Sequence, residues 1–150
     1  MVFYPFERWS SWQVGHDFSN MSDEEIMMRA FEIAAQHVGH TNPNPSVGAI
    51  IVSGGLLLAW GQTQQAGGNH AEIEAINMAL EIAPDKLENS TIYVTLEPCA
   101  HYGRTPPCAK ALVDVKVSRV VISVLDQNPL VAGQGVQILT NNGIEVTQGA

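Results

Sequence analysis

Thr91-Ile92-Tyr93-Val94-Thr95-Leu96-Glu97-Pro98-Cys99-Ala100-His101-Tyr102-Gly103-Arg104-Thr105-Pro106-Pro107-Cys108 decides the fold. β-Branched and aromatic residues run unbroken from Thr91 to Thr95, the pattern of a buried strand. Glu97 and Cys99 follow at its C-terminal end. Pro106-Pro107 then fits a helix start, because a fixed φ suits the first turn and the missing N–H is not needed there. Cys108 falls in that first turn. Strand, loop and helix in this order are one step of an α/β fold, whose sites gather at the C-terminal edges of strands. The stretch also holds both cysteines of the chain.

Upstream stands His70-Ala71-Glu72. The run 71–80 is rich in helix formers and apolar at helical spacing. Gly67-Gly68-Asn69 reads as the loop leading into it. His70 and Glu72 are two residues apart, so a regular helix turns them to different faces. At a helix N-terminus, one reaches a metal while the other reaches a substrate beside it. His70, Cys99 and Cys108 supply one imidazole and two thiols, which suits a catalytic zinc with three protein ligands and an open fourth position. Two helix N-termini beside the thiols favour thiolates. Such a zinc acidifies water to a pKa of roughly 7. Glu72 is the group to take that proton and pass it to a ring nitrogen and a leaving amine.

Taken singly, these residues are bland. Two cysteines are ordinarily small buried hydrophobes, or a disulfide in a secreted protein. A lone histidine is an ordinary polar residue, and a lone glutamate a solvated one. The joint order H-A-E, E-P-C, P-P-C carries the reading. Zinc nucleobase deaminases have H-x-E followed by P-C-x-x-C, with the glutamate as acid/base. Here the cysteines are separated by the eight residues 100–107.

A chain of 150 residues fits one domain with a real core. Its 45% apolar and 15% charged residues exclude a disordered chain. A net charge of −8 argues against a nucleic-acid backbone as partner. No apolar run is long enough for a membrane span. Glu7 and Arg8 interrupt the N-terminal aromatics, so no signal peptide is read there. Free metal-binding thiols fit a reducing compartment, and the cytoplasm is the expected location.

In chain order, residues 1–21 form an aromatic N-terminal extension with Phe3, Tyr4, Phe6, Trp9, Trp12 and Phe18. It reads as an arm packed on its own domain or on a neighbouring subunit; an aromatic flap near the site is the sharper alternative. Residues 22–150 are the catalytic domain. Ser22-Asp23-Glu24-Glu25 is a capping box. Ile26, Met27, Ala30, Phe31, Ile33, Ala34 and Val38 follow as a helical stripe with Gly39 as its stop. The two prolines of Thr41-Asn42-Pro43-Asn44-Pro45 make a stiff loop that enters a strand over 47–52. Gly54-Gly55 turns it back into a strand over 56–61. A helix over 108–115, a strand over 119–125, a closing helix around Val136, Ile138 and Leu139, and an edge strand over 144–147 complete the chain. This order predicts an α/β fold: a three-layer α/β/α sandwich on a five-stranded mixed sheet.

The combination resembles the N-terminal deaminase domain of the bifunctional riboflavin-biosynthesis deaminase/reductase, within the cytidine-deaminase-like superfamily. The matching residues are 41–48 (T-N-P-N-P-S-V-G), His70-Ala71-Glu72, 95–108, and Asp126-Gln127-Asn128-Pro129 with Gly133-Gln134-Gly135. The long gap carrying H-x-G-R-T-P-P separates this family from deaminases with P-C-x-x-C. The resemblance implies a zinc-dependent hydrolytic deaminase acting on the diaminopyrimidinone ribosylamino 5′-phosphate of riboflavin synthesis. It makes His70, Cys99 and Cys108 the zinc ligands and Glu72 the proton carrier. It implies that Asn44 contacts the substrate and that His101 and Arg104 hold the ribose phosphate. Asp126 and Asn128 either bind substrate or only shape their turn. Thr63 stands where the family has a substrate-facing histidine, and offers a hydroxyl but no switchable charge. Gln127 replaces a family proline. No reductase domain follows in this sequence, so NADPH is not expected. A separate reductase, and further copies of the chain as a dimer or tetramer, are the expected partners.

Two rivals remain. One is the same zinc chemistry on another aminopyrimidine or purine, motivated by Thr63. The other is a non-catalytic ligand-binding module. Glu72 speaks against the second, since a structural zinc needs no spare carboxylate and would want a fourth protein ligand.

Overall fold

The central strands are apolar on both faces because both faces are covered. In the computed structural model, which describes residues 14–35, 46–63, 70–100, 107–126 and 128–150, the chain forms α1 (Asp23–Ala35), β1 (Gly48–Ser53), β2 (Leu56–Gln62), α2 (Ala71–Ile82), a short 3-10 turn (Pro84–Lys86), β3 (Thr91–Leu96), α3 (Cys108–Asp114), β4 (Arg119–Val124), α4 (Gln134–Asn141) and β5 (Glu145–Gln148). The five strands make one sheet in the order β2-β1-β3-β4-β5. β1 is antiparallel to β2 and β3, while β3, β4 and β5 run parallel. This is the mixed sheet and α/β class expected from the sequence.

Alternation along each strand divides the core in two. Ala49 and Ile51 of β1, Ile92 and Val94 of β3, and Val120 and Ile122 of β4 pack with Ala71, Ala75, Leu112 and Leu139 of α2, α3 and α4. Ile50, Tyr93 and Val121 point the other way, onto Ile26, Met27, Ala30 and Ile33 of α1. Ile50, Ile51, Ile92 and Ile122 are wholly buried, and each contributes roughly 1.5–3 kcal/mol. The β3–α3–β4 and β4–α4–β5 crossovers advance in one direction across the sheet, so helices of one hand fall on one face. α2 joins them there, and α1 covers the other face together with Phe18.

The capping box closes as its spacing predicts: the Glu25 N–H donates to Ser22 Oγ at 3.1 Å and the Ser22 N–H to Glu25 Oε1 at 3.3 Å. The described end of the N-terminal segment packs on the domain's own β2. The Gly15 N–H donates to the Leu57 carbonyl, the Leu57 N–H to His16, and the Phe18 N–H to Gly55, and Phe18 is buried among the α1-side residues. Phe3, Tyr4, Phe6, Trp9 and Trp12 lie outside the described residues. β3 continues one residue past its expected end, because Leu96 still pairs with Val124. No helix among the described residues is long and apolar enough to cross a membrane.

Candidate metal centre

Two helices begin at one place. His70 is the N-cap of α2, in extended conformation, and its side chain caps nothing. The imidazole turns to the sulfurs: Nδ1 lies 3.1 Å from Cys108 Sγ and 3.7 Å from Cys99 Sγ. Cys108 opens α3 directly after Pro107, as the Pro-Pro pair predicts. The Cys108 N–H donates to Cys99 Sγ at 3.2 Å, and the Ala109 N–H donates to the Cys99 carbonyl at 3.1 Å. Cys99 is therefore held by the unsatisfied amides of a helix start, where the dipole favours negative charge.

The three donor atoms of His70, Cys99 and Cys108 lie within 4.8 Å of one another. A tetrahedral zinc with ordinary Zn–N and Zn–S bonds wants such donors about 3.6–3.8 Å apart. One nitrogen and two sulfurs also suit zinc by chemistry. The residues fit the ion, with Nδ1 as the imidazole ligand atom, and the Glu72 carboxylate is not among the clustered donors.

The groups divide their protons unequally. A hydrogen bond from Cys108, reinforced by His70, holds the Cys99 thiol down at about 4. The hydrogen bond with Cys99, then burial, pushes the Cys108 thiol far up. The Cys99 hydrogen bond raises His70 against the opposing effect of burial. Glu72, two residues into the chain from His70, is buried, and desolvation lifts its carboxyl to about 7 despite its own backbone N–H.

What sets α2 at this height is Gly61. A Cβ there would lie 2.3 Å from the Ala71 carbonyl oxygen and 2.6 Å from the Ala75 nitrogen. The helix rests on bare strand backbone, and the residue it touches stands between His70 and Glu72.

The other expected site residues lie as follows. Thr63 is buried; its hydroxyl accepts from the Val47 N–H at 2.7 Å and donates to the Val47 carbonyl at 3.2 Å. Asp126 Oδ1 accepts from the Asn128 N–H at 2.9 Å, and Asn128 Oδ1 from the Leu130 N–H at 3.0 Å. These side chains shape the turn after β4. Asn44, His101 and Arg104 lie outside the described residues. Glu97 directly follows β3. It is buried, and three backbone amides donate to it.

Residues 20–124 match the family model for the cytidine and deoxycytidylate deaminase zinc-binding region. A diaminohydroxyphosphoribosylamino-pyrimidine deaminase from Buchnera aphidicola is 46% identical over 129 residues, covering 86% of this chain and 85% of the relative. RibD from Acinetobacter baumannii superposes with a TM-score of 0.80 at 51% identity, over 85% of this chain and 35% of that one. A diaminohydroxyphosphoribosylaminopyrimidine deaminase/5-amino-6-(5-phosphoribosylamino)uracil reductase from Thermotoga maritima superposes with a TM-score of 0.79 at 43% identity, over 85% of this chain and 36% of that one. The chain spans about a third of the length of the RibD proteins it matches, 35% in Aquifex aeolicus and 34% in Escherichia coli. With a zinc-type donor set between two helix starts and this likeness along most of its length, the chain belongs to the cytidine and deoxycytidylate deaminase zinc-binding family, and within it to the diaminohydroxyphosphoribosylamino-pyrimidine deaminases.

Proposed function

We propose that this chain deaminates the diaminopyrimidinone ribosylamino 5′-phosphate of riboflavin synthesis by hydrolysis, releasing ammonia. One observation carries the proposal: three clustered metal donors with a buried carboxylate, Glu72, beside them and outside the donor set. Zinc, when bound, supplies the Lewis acidity that makes water a nucleophile near neutral pH. Glu72 takes one proton of the attacking water and gives it to the ring nitrogen, then carries the second, from the added hydroxyl, to the amino group, which leaves as ammonia as the C–N bond breaks. A carboxyl raised to about 7 by burial is matched to both directions of that transfer.

Asn44, His101 and Arg104 are assigned to direct substrate contact, with Arg104 forking onto phosphate oxygens. Thr63, Asp126 and Asn128 are assigned to the substrate side as well, but their side-chain oxygens already serve backbone groups, so their part is to shape their own loops. We further assign residues 1–21 to an extension and 22–150 to the catalytic domain, and we place the chain in the cytoplasm, as a homo-oligomer, handing its product to a reductase.

The test is ammonia release from that substrate by zinc-quantified protein, with and without a separate reductase. One ammonia per substrate at one zinc per chain is the expected result. A zinc-loaded chain that releases none from it overturns the substrate assignment. Thr63, whose hydroxyl is tied to Val47, favours one second reading, the same chemistry on another aminopyrimidine or purine. A panel of phosphorylated and unphosphorylated amino-heterocycles separates the two.

A further inference from the structure

Glu97 directly follows β3, two residues before Cys99, yet its carboxylate serves a distant stretch of chain. Oε1 accepts from the N–H of Asp126 at 3.1 Å and from that of Gly133 at 2.9 Å, and Oε2 accepts from the N–H of Val136 at 3.0 Å. The Glu97 N–H donates to the Val124 carbonyl at 2.8 Å, completing the tie to β4. A buried carboxylate is tolerated only where such donors meet it. α4 gains as well. Its N-cap is Gly133, which has no side chain to cap with, and Glu97 takes the orphan amide of its first turn in that role.

The same segment lies directly on the peptide before Cys99. A Cβ on Gly135 would lie 2.0 Å from the Pro98 carbonyl oxygen and 3.2 Å from Glu97 Oε2. Cys99 is thus gripped from two sides. The start of α3 holds its sulfur and its carbonyl through the amides of Cys108 and Ala109. On the other side Pro98 is pinned under the first turn of α4.

We propose that Glu97 is a positioning residue of the metal centre: its carboxylate locks the start of α4 onto Pro98 and thereby fixes Cys99 as a ligand. The proposal rests on the assignment of Cys99 to the metal. With the clamp intact, Pro98 and Cys99 move only together with α4. Without it the donor set is unchanged, but Cys99 leaves the metal more often. Groups that orient metal ligands without touching the metal typically change affinity by about 10–100-fold.

The test compares zinc-loaded wild-type chain with Glu97→Gln, Gly135→Ala and Tyr93→Phe. Glu97→Gln keeps the volume but faces an NH2 group to at least one amide donor. Gly135→Ala pushes the same segment off Pro98 with Glu97 intact, and carries the test if Glu97→Gln does not fold. Tyr93→Phe weakens the far side of the sheet and controls for general loss of stability. Zinc transfer to a chromophoric chelator should be about ten-fold faster or more in the first two variants. Their cobalt-substituted spectra should shift, and Tyr93→Phe should resemble wild type in both readouts. The double variant should be no worse than the worse single one, since both break one contact. If the first two variants lose thermal stability but release zinc at the wild-type rate with unshifted cobalt spectra, Glu97 is only structural and the proposal fails. A wild-type chain that takes up no zinc overturns this proposal and the proposed function together. A wild-type chain that binds zinc and deaminates, beside variants that hold zinc equally well, overturns this one alone.

Discussion

The two ends of the sheet treat a carboxylate in opposite ways. At the metal end Glu72 is buried with few donors, and desolvation raises it to about 7. At the other end, where β4 begins, Asp23 meets the fork of Arg119, with Nη1 donating to Oδ1 at 3.2 Å and Nη2 to Oδ2 at 2.6 Å. The Tyr93 hydroxyl adds a third hydrogen bond at 3.0 Å. There the Arg119 hydrogen bond holds the carboxyl below its ordinary value. The chemical group is the same, and the supply of donors decides what it does. A well-donated carboxylate stays ionised and fastens α1 to β3 and β4. A poorly donated one is pushed by burial towards neutral pH.

The largest effect should come from removing the exchangeable proton. Glu72→Gln keeps the shape and leaves His70, Cys99 and Cys108 untouched. Zinc per chain should be unchanged, and turnover should fall by about 10³-fold, within the usual range for a lost acid/base group. Metal analysis beside steady-state kinetics checks both halves. Full activity in this variant would remove the functional difference drawn between the two ends.

Gly61→Ala should rank second. The new Cβ meets the Ala71 carbonyl oxygen at 2.3 Å, so α2 must lift. Overpacking of this kind costs about 1–3 kcal/mol, and misplacement by about 1 Å can cost 10²-fold in rate. A lower Tm together with a lower kcat/KM is expected, since His70 and Glu72 flank the displaced residue. A variant that loses stability but keeps wild-type kcat/KM would show that α2 tilts without carrying the site along.

The metal donors were legible because their chemistry is rare and locally framed: a histidine before a helical run, a cysteine after a strand, a cysteine after two prolines. The capping box and the Pro-Pro start were legible because capping is decided within one turn of chain. Glu97 was not, since its amide partners follow 29, 36 and 39 residues later. A glycine in a strand signals a close approach, but nothing local says that the approaching backbone at Gly61 is α2. Thr63 illustrates the same limit. The sheet places Val47 beside its hydroxyl, and nothing in its own stretch of sequence announces that contact. The ion pair of Arg119 and Asp23 spans 96 residues and left no trace in either neighbourhood. Local chemistry is written in spacing; contacts across the sheet are written only in the register of the strands.

The smallest effect belongs to the Asp23 end, and pH gives it a sign. The groups facing Asp23 are Arg119 from β4 and Tyr93 from β3; Glu145 and Thr147 of β5 engage Arg119 from the far side. Because the folded carboxyl titrates below its unfolded value of 3.8, folding is stabilised in full above that value. The stabilisation is lost as the pH falls through the lower folded value. The pair is partly exposed, with side chains 27% and 29% accessible, so screening limits it to about 1 kcal/mol. Asp23→Asn should therefore lower Tm by roughly 2–4 °C at pH 7, and the gap from wild type should close as the pH drops below 3.8. A thermal melt series on both chains measures the gap at each pH. A gap that persists unchanged into that acid range would mean that Asp23 acts through its shape, with the Tyr93 hydrogen bond and not the Arg119 charge fastening α1 to the sheet.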